Sequence, residues 1–457
     1  MISLAPVTCR FGGFLRRACG IVLVSGSLMW AGPSVSAQDA PAADAKPAGG
    51  TLAIATWGGA YGQSQEIAYF QPFTQKTGVK ITTETYDGTL AAIKDKLDNS
   101  ASPFDVVDLS QAALDVLCRD GKLETLESSM LSAAPGGQSV SDDFISGGIT
   151  SCGIASVAWS TAIAFDRQAF TKAQPSKIAD LLDVQHFPGK RALPNGARYT
   201  LELALLADGV DPADVYSQLA TPEGAVRAFK ALDKIKVQIL WWDKAEDAIS
   251  LLLQRKAAMA AGYSGRIFRA AIAARQRVDV LWDGQIYDLD LWAIPKTAAN
   301  KDDAKRFITF ATEPAQMAAQ AELIAYGPMR KSAIALVGKH PSIDIAMKEY
   351  LPTAPDNFRK VLKFDEAWWN EHGADLTTRF QAWRDQPVPV EAKASPGDAK
   401  SKPSTADSKS KASTADSKSK ASPADSKPST AESKPAAGDS KPSTPEGDTG
   451  SVPNKPQ

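Results

Sequence analysis

Apolar and polar positions along the chain follow two rhythms that alternate from about residue 50 to residue 387. Runs such as "TLAIATW" (51–57) and "FDVVDLS" (104–110) are short and apolar, as buried strands require, and "VKITTETY" (79–86) alternates with the period of two of a half-buried strand. Between them the period lengthens to that of a helix. The stretch Gln63 to Thr77 closes at Gly78, where a helix end favours a residue tolerant of positive φ. "TLAAIKDKLDN" (89–99) places Leu90, Ile93 and Leu97 on one face, and "QAALDVLCRDG" (111–121) follows the third strand as its helix.

The second half repeats the alternation. "GKRAL" is followed by "TLELALLADG", "PEGAVRAFKALDKI" by "VQILWW", "AEDAISLLLQRK" by "AAMAAGYSG", and "VDVLW" precedes "YDLDLWAIP". Alternating strands and helices define an α/β architecture. The strands exceed what one sheet usually holds, which predicts two lobes. "GIASVAWSTAIAFD" (153–166) is long and apolar enough to pass from one lobe into the other.

The two ends depart from this pattern. Residues 1–37 read as an export signal: Arg10, Arg16 and Arg17 precede the apolar run Ile21 to Trp30, and small residues end at Ala37. That run is about ten residues, half of what a membrane-spanning helix needs. Residues 38–49 form a linker. From about 388 to 457 the chain is built of Lys, Ser, Ala, Asp, Pro and Thr in near-repeats such as SKPSTADSK and SKASTADSK. No apolar seam runs through these repeats, so the tail reads as disordered.

Charge and cysteine usage narrow the function. The net charge of −1 becomes about −6 for the middle once the basic leader and tail are set aside, which argues against a nucleic-acid partner. Cys118 and Cys152 alone remain after the leader, and in an oxidising compartment such a pair is most simply a disulfide. The three histidines, His186, His340 and His372, lack ligand spacing, so neither metal nor cofactor is expected. GxSxG and HExxH are absent and "GYSGR" misses the serine-elbow spacing, so an exported enzyme has little support. An exported surface adhesion protein with a lysine-rich tail is the rival of another class.

Ligands of open α/β sheets bind at the carboxyl ends of strands, and "WGGAYG" stands at such an end. It matches no phosphate-binding motif. Its glycines let the backbone turn tightly while Trp57 and Tyr61 either project into the crevice or pack into the core.

"ATWGGAYGQSQEIAYFQPFTQKTGVKI", "HFPGKRAL", "VLWDGQIYDLDLWAIPKTAANKDDAKRFITFAT", "IAYGPMRKSA" and "AWWNEHGADLTTRF" together resemble the spermidine/putrescine-binding proteins of bacterial ABC importers. The resemblance implies a two-lobed periplasmic-binding-protein fold, type II-like, with the ligand cleft between lobes. Lobe 1 would be 50–160 and 290–335, and lobe 2 would be 161–289 and 336–387. It further implies a periplasmic monomer that closes on a small organic cation and delivers it to the transmembrane subunits of an ABC permease.

By position, the implied aromatic box is Trp57, Tyr61, Tyr263 and Tyr326, with Asp290 as the amine-binding carboxylate and Asp288 beside it. Trp369 falls where polyamine binders have an amide. Asp87 and Trp159 lie in stretches that would line the cleft. Aromatic faces attract a cation by roughly 0.5–2 kcal/mol each, and carboxylates add charge-assisted hydrogen bonds. One stretch departs from the polyamine pattern: after "GKRAL" the acids are replaced by Asn195, Gly196, Arg198 and Tyr199. Arg198 would either bind a ligand carboxylate, favouring a zwitterionic amino-acid derivative or opine, or form a salt bridge.

Overall fold

A computed structural model describes residues 49–98, 104–275 and 277–387. The leader, nearly all of the linker and the tail lie outside these residues.

The first strand β1 (Thr51–Thr56) is followed by α1 (Gly59–Gln65), which runs through a π-helical turn at Glu66–Phe70 into α2 (Gln71–Thr77). The helix thus starts four residues before Gln63, immediately at the glycine-rich loop, and ends at Gly78 with φ 76°. Then come β2 (Lys80–Thr85), α3 (Leu90–Asp98), β3 (Val106–Ser110), α4 (Gln111–Arg119), α5 (Val140–Asp143) and the long β4 (Ile154–Asp166). The second half supplies β5 (Arg191–Pro194), α6 (Thr200–Ala207), α7 (Val215–Leu219), α8 (Pro222–Asp233), β6 (Ile239–Trp242), α9 (Ala245–Leu253), β7 (Met259–Tyr263) and α10 (Ser264–Ala273). It continues with β8 (Val278–Ala293), α11 (Lys301–Ala311), α12 (Pro314–Leu323), β9 (Gly327–Pro328), α13 (Lys331–Leu336), β10 (Leu362–Lys363) and α14 (Glu366–Asp385).

"VDVLW" and "YDLDLWAIP" are therefore one 16-residue strand rather than two. The described strands also join in a single sheet, ordered β2-β1-β3-β8-β4-β7-β5-β6, where the strand number had suggested separate ones. The reason lies in β4 and β8, which pair antiparallel along almost their whole length and belong to both halves. β4 is buried at every position because side chains on both of its faces meet packed layers.

Two main apolar cores flank this pair of strands. Leu52, Val107, Ala158, Leu289 and Phe307 belong to the first, and Ile163, Leu201, Met259, Ile286 and Phe380 to the second. The change of core falls between Ala158 and Ile163 on β4 and between Ile286 and Leu289 on β8. A disulfide joins Cys118 at the end of α4 to Cys152 just before β4. Arg330 and Asp143 form a fully buried ion pair, Nε to Oδ2 2.6 Å, in which Ser332 also donates to the carboxylate and Arg330 donates to the carbonyls of Thr312 and Ser132.

Candidate functional site

The switch between cores is where the candidate side chains gather. Trp57 is the first residue after β1, Gln111 the first after β3, and Tyr263 the last of β7, so each stands at the carboxyl end of a strand, where α/β sheets bind ligands. Tyr61, Trp159 and Tyr326 pack together in a separate small cluster, with Val157 and Ile324, and Trp57 and Tyr263 lean on it from its edge. The ring centroids of Tyr61 and Tyr326 are 5.6 Å apart, as are those of Trp159 and Tyr263. Trp57 lies 5.4 Å from Tyr86 and directly over Gly88, whose missing side chain leaves room for the indole.

Asp290 lies three residues before the end of β8, fully buried, opposite Ser110 of β3 and Val157 of β4. Its charge helps to raise the phenol pKa of Tyr61, Tyr86 and Tyr326, after burial as the largest cause in each. Tyr61 is held by its hydroxyl, which donates to Asp108 Oδ2 at 2.9 Å, while Gln65 Nε2 donates to the same oxygen at 2.8 Å. Asp108 and Tyr86, whose hydroxyl donates to the Asp108 carbonyl, thus brace the box from behind.

Arg266 was not singled out by the sequence. It occupies the first turn of α10, three residues after Tyr263, and is only 4% exposed. Its guanidinium meets Glu246 Oε1 at 2.8 Å, and burial lowers its pKa. Tyr326 feels charges of both signs: burial and Asp290 raise its pKa, and Arg266 and Arg269 oppose them. Within the same aromatic cluster the buried Trp159 Nε1–H finds no acceptor among the described residues. Tyr199, noted in the departing stretch but not placed in the box, stacks on Phe364 at 4.6 Å and meets Tyr263 edge-on at 6.5 Å. It adopts φ 65° at the N-terminus of α6, a region that costs a non-glycine residue of order 1–3 kcal/mol and that recurs at ligand sites.

The remaining candidates fall elsewhere. Asp87 is half-buried and accepts from the Thr89 N–H (2.9 Å) and hydroxyl (2.8 Å), which lower its pKa; it fastens the turn carrying Gly88. Arg198 is spent on Glu366, with both carboxylate oxygens within 2.7 Å, the salt-bridge alternative rather than a ligand contact. Trp369 is buried in the second core, where its indole N–H donates to Glu202 at 2.5 Å, and it is not among the rings of the cluster. Asp288 pairs across the sheet with Trp159 and lines an adjoining cavity instead of the cluster itself. Burial, with a smaller contribution from Asp290, pushes its pKa up to about 7.

Among the described residues no group of His, Cys, Asp and Glu is arranged to hold a metal, and no helix is long and apolar enough to cross a membrane. A mixed sheet whose two long strands carry an aromatic and acidic cluster between two cores defines a two-lobed periplasmic binding protein. The chain belongs to the bacterial extracellular solute-binding protein family, whose sequence profile matches residues 68–353. It is 37% identical over 342 residues to the gamma-aminobutyric acid-binding protein of Pseudomonas aeruginosa, covering 75% of this chain and 93% of that one. The resemblance to polyamine binders is more distant: the spermidine/putrescine-binding periplasmic protein of Escherichia coli is 24% identical over 313 residues, 66% of this chain and 83% of that one.

Two solved structures agree in fold. An Agrobacterium tumefaciens R10 binding protein in complex with agropinic acid is 29% identical with TM-score 0.53, covering 74% of this chain and 99% of that one. A GABA receptor is 27% identical with TM-score 0.58, covering 74% and 98%.

Proposed function

We propose that this substrate-binding component of an ABC importer captures a small zwitterion, an ω-amino acid or a derivative of one, rather than a polyamine. The observation that carries this reading is that an acid, Asp290, and a base, Arg266, both act on the phenol of Tyr326, in a cluster whose buried Trp159 N–H makes no hydrogen bond among the described residues. A polyamine offers only donors. It would answer Asp290 and leave the indole donor unmatched, whereas a carboxylate supplies an acceptor for the indole and a second negative charge beside the arginine that Glu246 already pairs. The ligand's ammonium then faces Asp290 and the rings of Trp57, Tyr61 and Tyr326, where cation–π attraction adds to the ion pair. The 37% identity to a gamma-aminobutyric acid-binding protein supports the same class.

On this reading 50–160 with 290–335 moves as one lobe and 161–289 with 336–387 as the other. Trp57, Tyr61 and Tyr326 come from the first, and Tyr263 and Arg266 from the second. A ligand touching both binds the closed form more tightly and shifts the open–closed equilibrium by that difference, presenting a closed surface to the permease. The family places this step in the periplasm or at the cell exterior.

Calorimetric titration of two variants tests the assignment. Asp290→Asn is expected to weaken γ-aminobutyrate at least tenfold, and Arg266→Gln is expected to weaken it tenfold or more while sparing butylamine, which lacks the carboxylate. If Arg266→Gln weakens butylamine as much as γ-aminobutyrate, the arginine is not the carboxylate partner.

A further inference from the structure

Beside the aromatic cluster lies a cavity of about 290 Å³ that the zwitterion reading leaves unused. One wall is the start of α4, with Gln111, Ala112 and Asp115; the other is Tyr216 with the segment Lys363 to Ala367. Asp288 of β8 also lines it. Asp288 and Asp290 are two residues apart on β8 and therefore point to the same face, with about 7 Å between their Cα atoms. Because α4 begins directly after Ser110, the partner of Asp290 across the sheet, the cavity continues the cleft along that face.

Four carboxylates border the cavity, Asp115, Asp288, Asp365 and Glu366, against one ammonium, Lys363. Asp115 accepts from Gln111 Nε2 at 2.8 Å, Asp365 caps α14 through the Trp368 N–H, and Glu366 is taken by Arg198. Asp288 differs from these. It is 7% exposed, and its Oδ1 accepts from the Leu289 N–H at 2.8 Å while no hydrogen bond to its Oδ2 is made among the described residues. Gln111 Oε1, on the facing wall, is likewise a buried acceptor without a donor among the described residues. Two unanswered acceptors, one a buried carboxylate, ask for a donor that carries positive charge.

We propose that this cavity is a second cation subsite, which takes an ammonium group attached by a short alkyl chain to the zwitterion held at Asp290 and Arg266. The inference rests on the zwitterion reading and extends it: the solute is a carboxylic acid bearing two amino groups. It also accounts for a second aspartate beside Asp290 on β8, in a chain 37% identical to a gamma-aminobutyric acid-binding protein. Ionising Asp288 for the incoming ammonium reverses the protonation that burial favours in the unliganded chain, so binding at neutral pH releases a proton.

The test compares γ-aminobutyrate with N-(3-aminopropyl)-γ-aminobutyrate by calorimetry on the full chain and on two variants, Asp288→Asn and Asp115→Asn. The extended compound is expected to bind wild type at least ten times more tightly than γ-aminobutyrate. That advantage should fall below threefold in Asp288→Asn and shrink measurably in Asp115→Asn, whose exposed side chain makes a folding defect immaterial. Equal binding of the two compounds to wild type overturns the subsite, as does an advantage that survives both substitutions. A wild type that binds the extended compound tightly but not γ-aminobutyrate keeps the subsite and overturns the reading that Asp290 and Arg266 suffice to hold the zwitterion.

Discussion

Gly88→Ala tests the link from backbone geometry to binding. Gly88 has φ 81°, and a Cβ built there would stand 1.6 Å from Cζ3 and 2.3 Å from Cε3 of Trp57. Neither contact can be relieved without moving the indole off Tyr86. The left-handed backbone costs alanine about 1–2 kcal/mol, and loss of the Trp57–Tyr86 ring pair costs about 0.5–1.5 kcal/mol more. The ligand's ammonium loses one aromatic face worth about 0.5–2 kcal/mol, so affinity should fall roughly 2- to 30-fold. Gly137→Ala is the control, since Gly137 has φ 82° but a Cβ there meets no atom within 4 Å. Thermal melts should show both variants destabilised, and titration with γ-aminobutyrate should show weakened binding in Gly88→Ala alone. Unchanged affinity in Gly88→Ala would refute the placement of Trp57 as a wall of the site.

Three further outcomes follow from groups already described. Burial pushes the carboxyls of Asp288 and Glu202 each up to about 7, so the folded chain keeps protons that the unfolded chain releases near pH 4. Their contribution is full below pH 4 and is lost as pH climbs past about 7, so the unliganded protein should melt higher at pH 5 than at pH 8; Asp288→Asn with Glu202→Gln should flatten that slope. Replacing Cys118 and Cys152 by serine should lower stability by about 4 kcal/mol in urea unfolding, given a separation of 34 residues, with ligand affinity unmoved. Arg330→Met leaves Asp143 charged and buried and should cost about 3–5 kcal/mol in the same assay.

Much of the fold was legible because each βα unit carries its own period. The aromatic residues came from the family resemblance instead, since only Trp57 and Tyr263 stand at strand ends while Tyr61, Trp159 and Tyr326, which pack with them, do not. What sequence could not reveal were pairings across large separations. Arg198 meets Glu366, 168 positions away, and Trp369 meets Glu202, 167 away; both reached toward the cleft on paper and are satisfied elsewhere. Arg266 was missed because its role depends on the turn from β7 into α10, although "GYSGR" did hold the signal: an arginine in the first helical turn after a strand that ends in an aromatic residue. The continuous sheet escaped notice because Gly284 interrupts the apolar pattern of β8 without breaking the strand.

Calorimetry of the wild-type protein with three ligands of equal chain length, γ-aminobutyrate, 1,4-diaminobutane and butyrate, addresses the central claim most directly. Asp290 and Arg266 acting at opposite ends of one ligand predict that γ-aminobutyrate binds at least tenfold more tightly than either analogue, since each lacks one charge-assisted contact worth about 1.5–3 kcal/mol. Tighter or equal binding of 1,4-diaminobutane would contradict it.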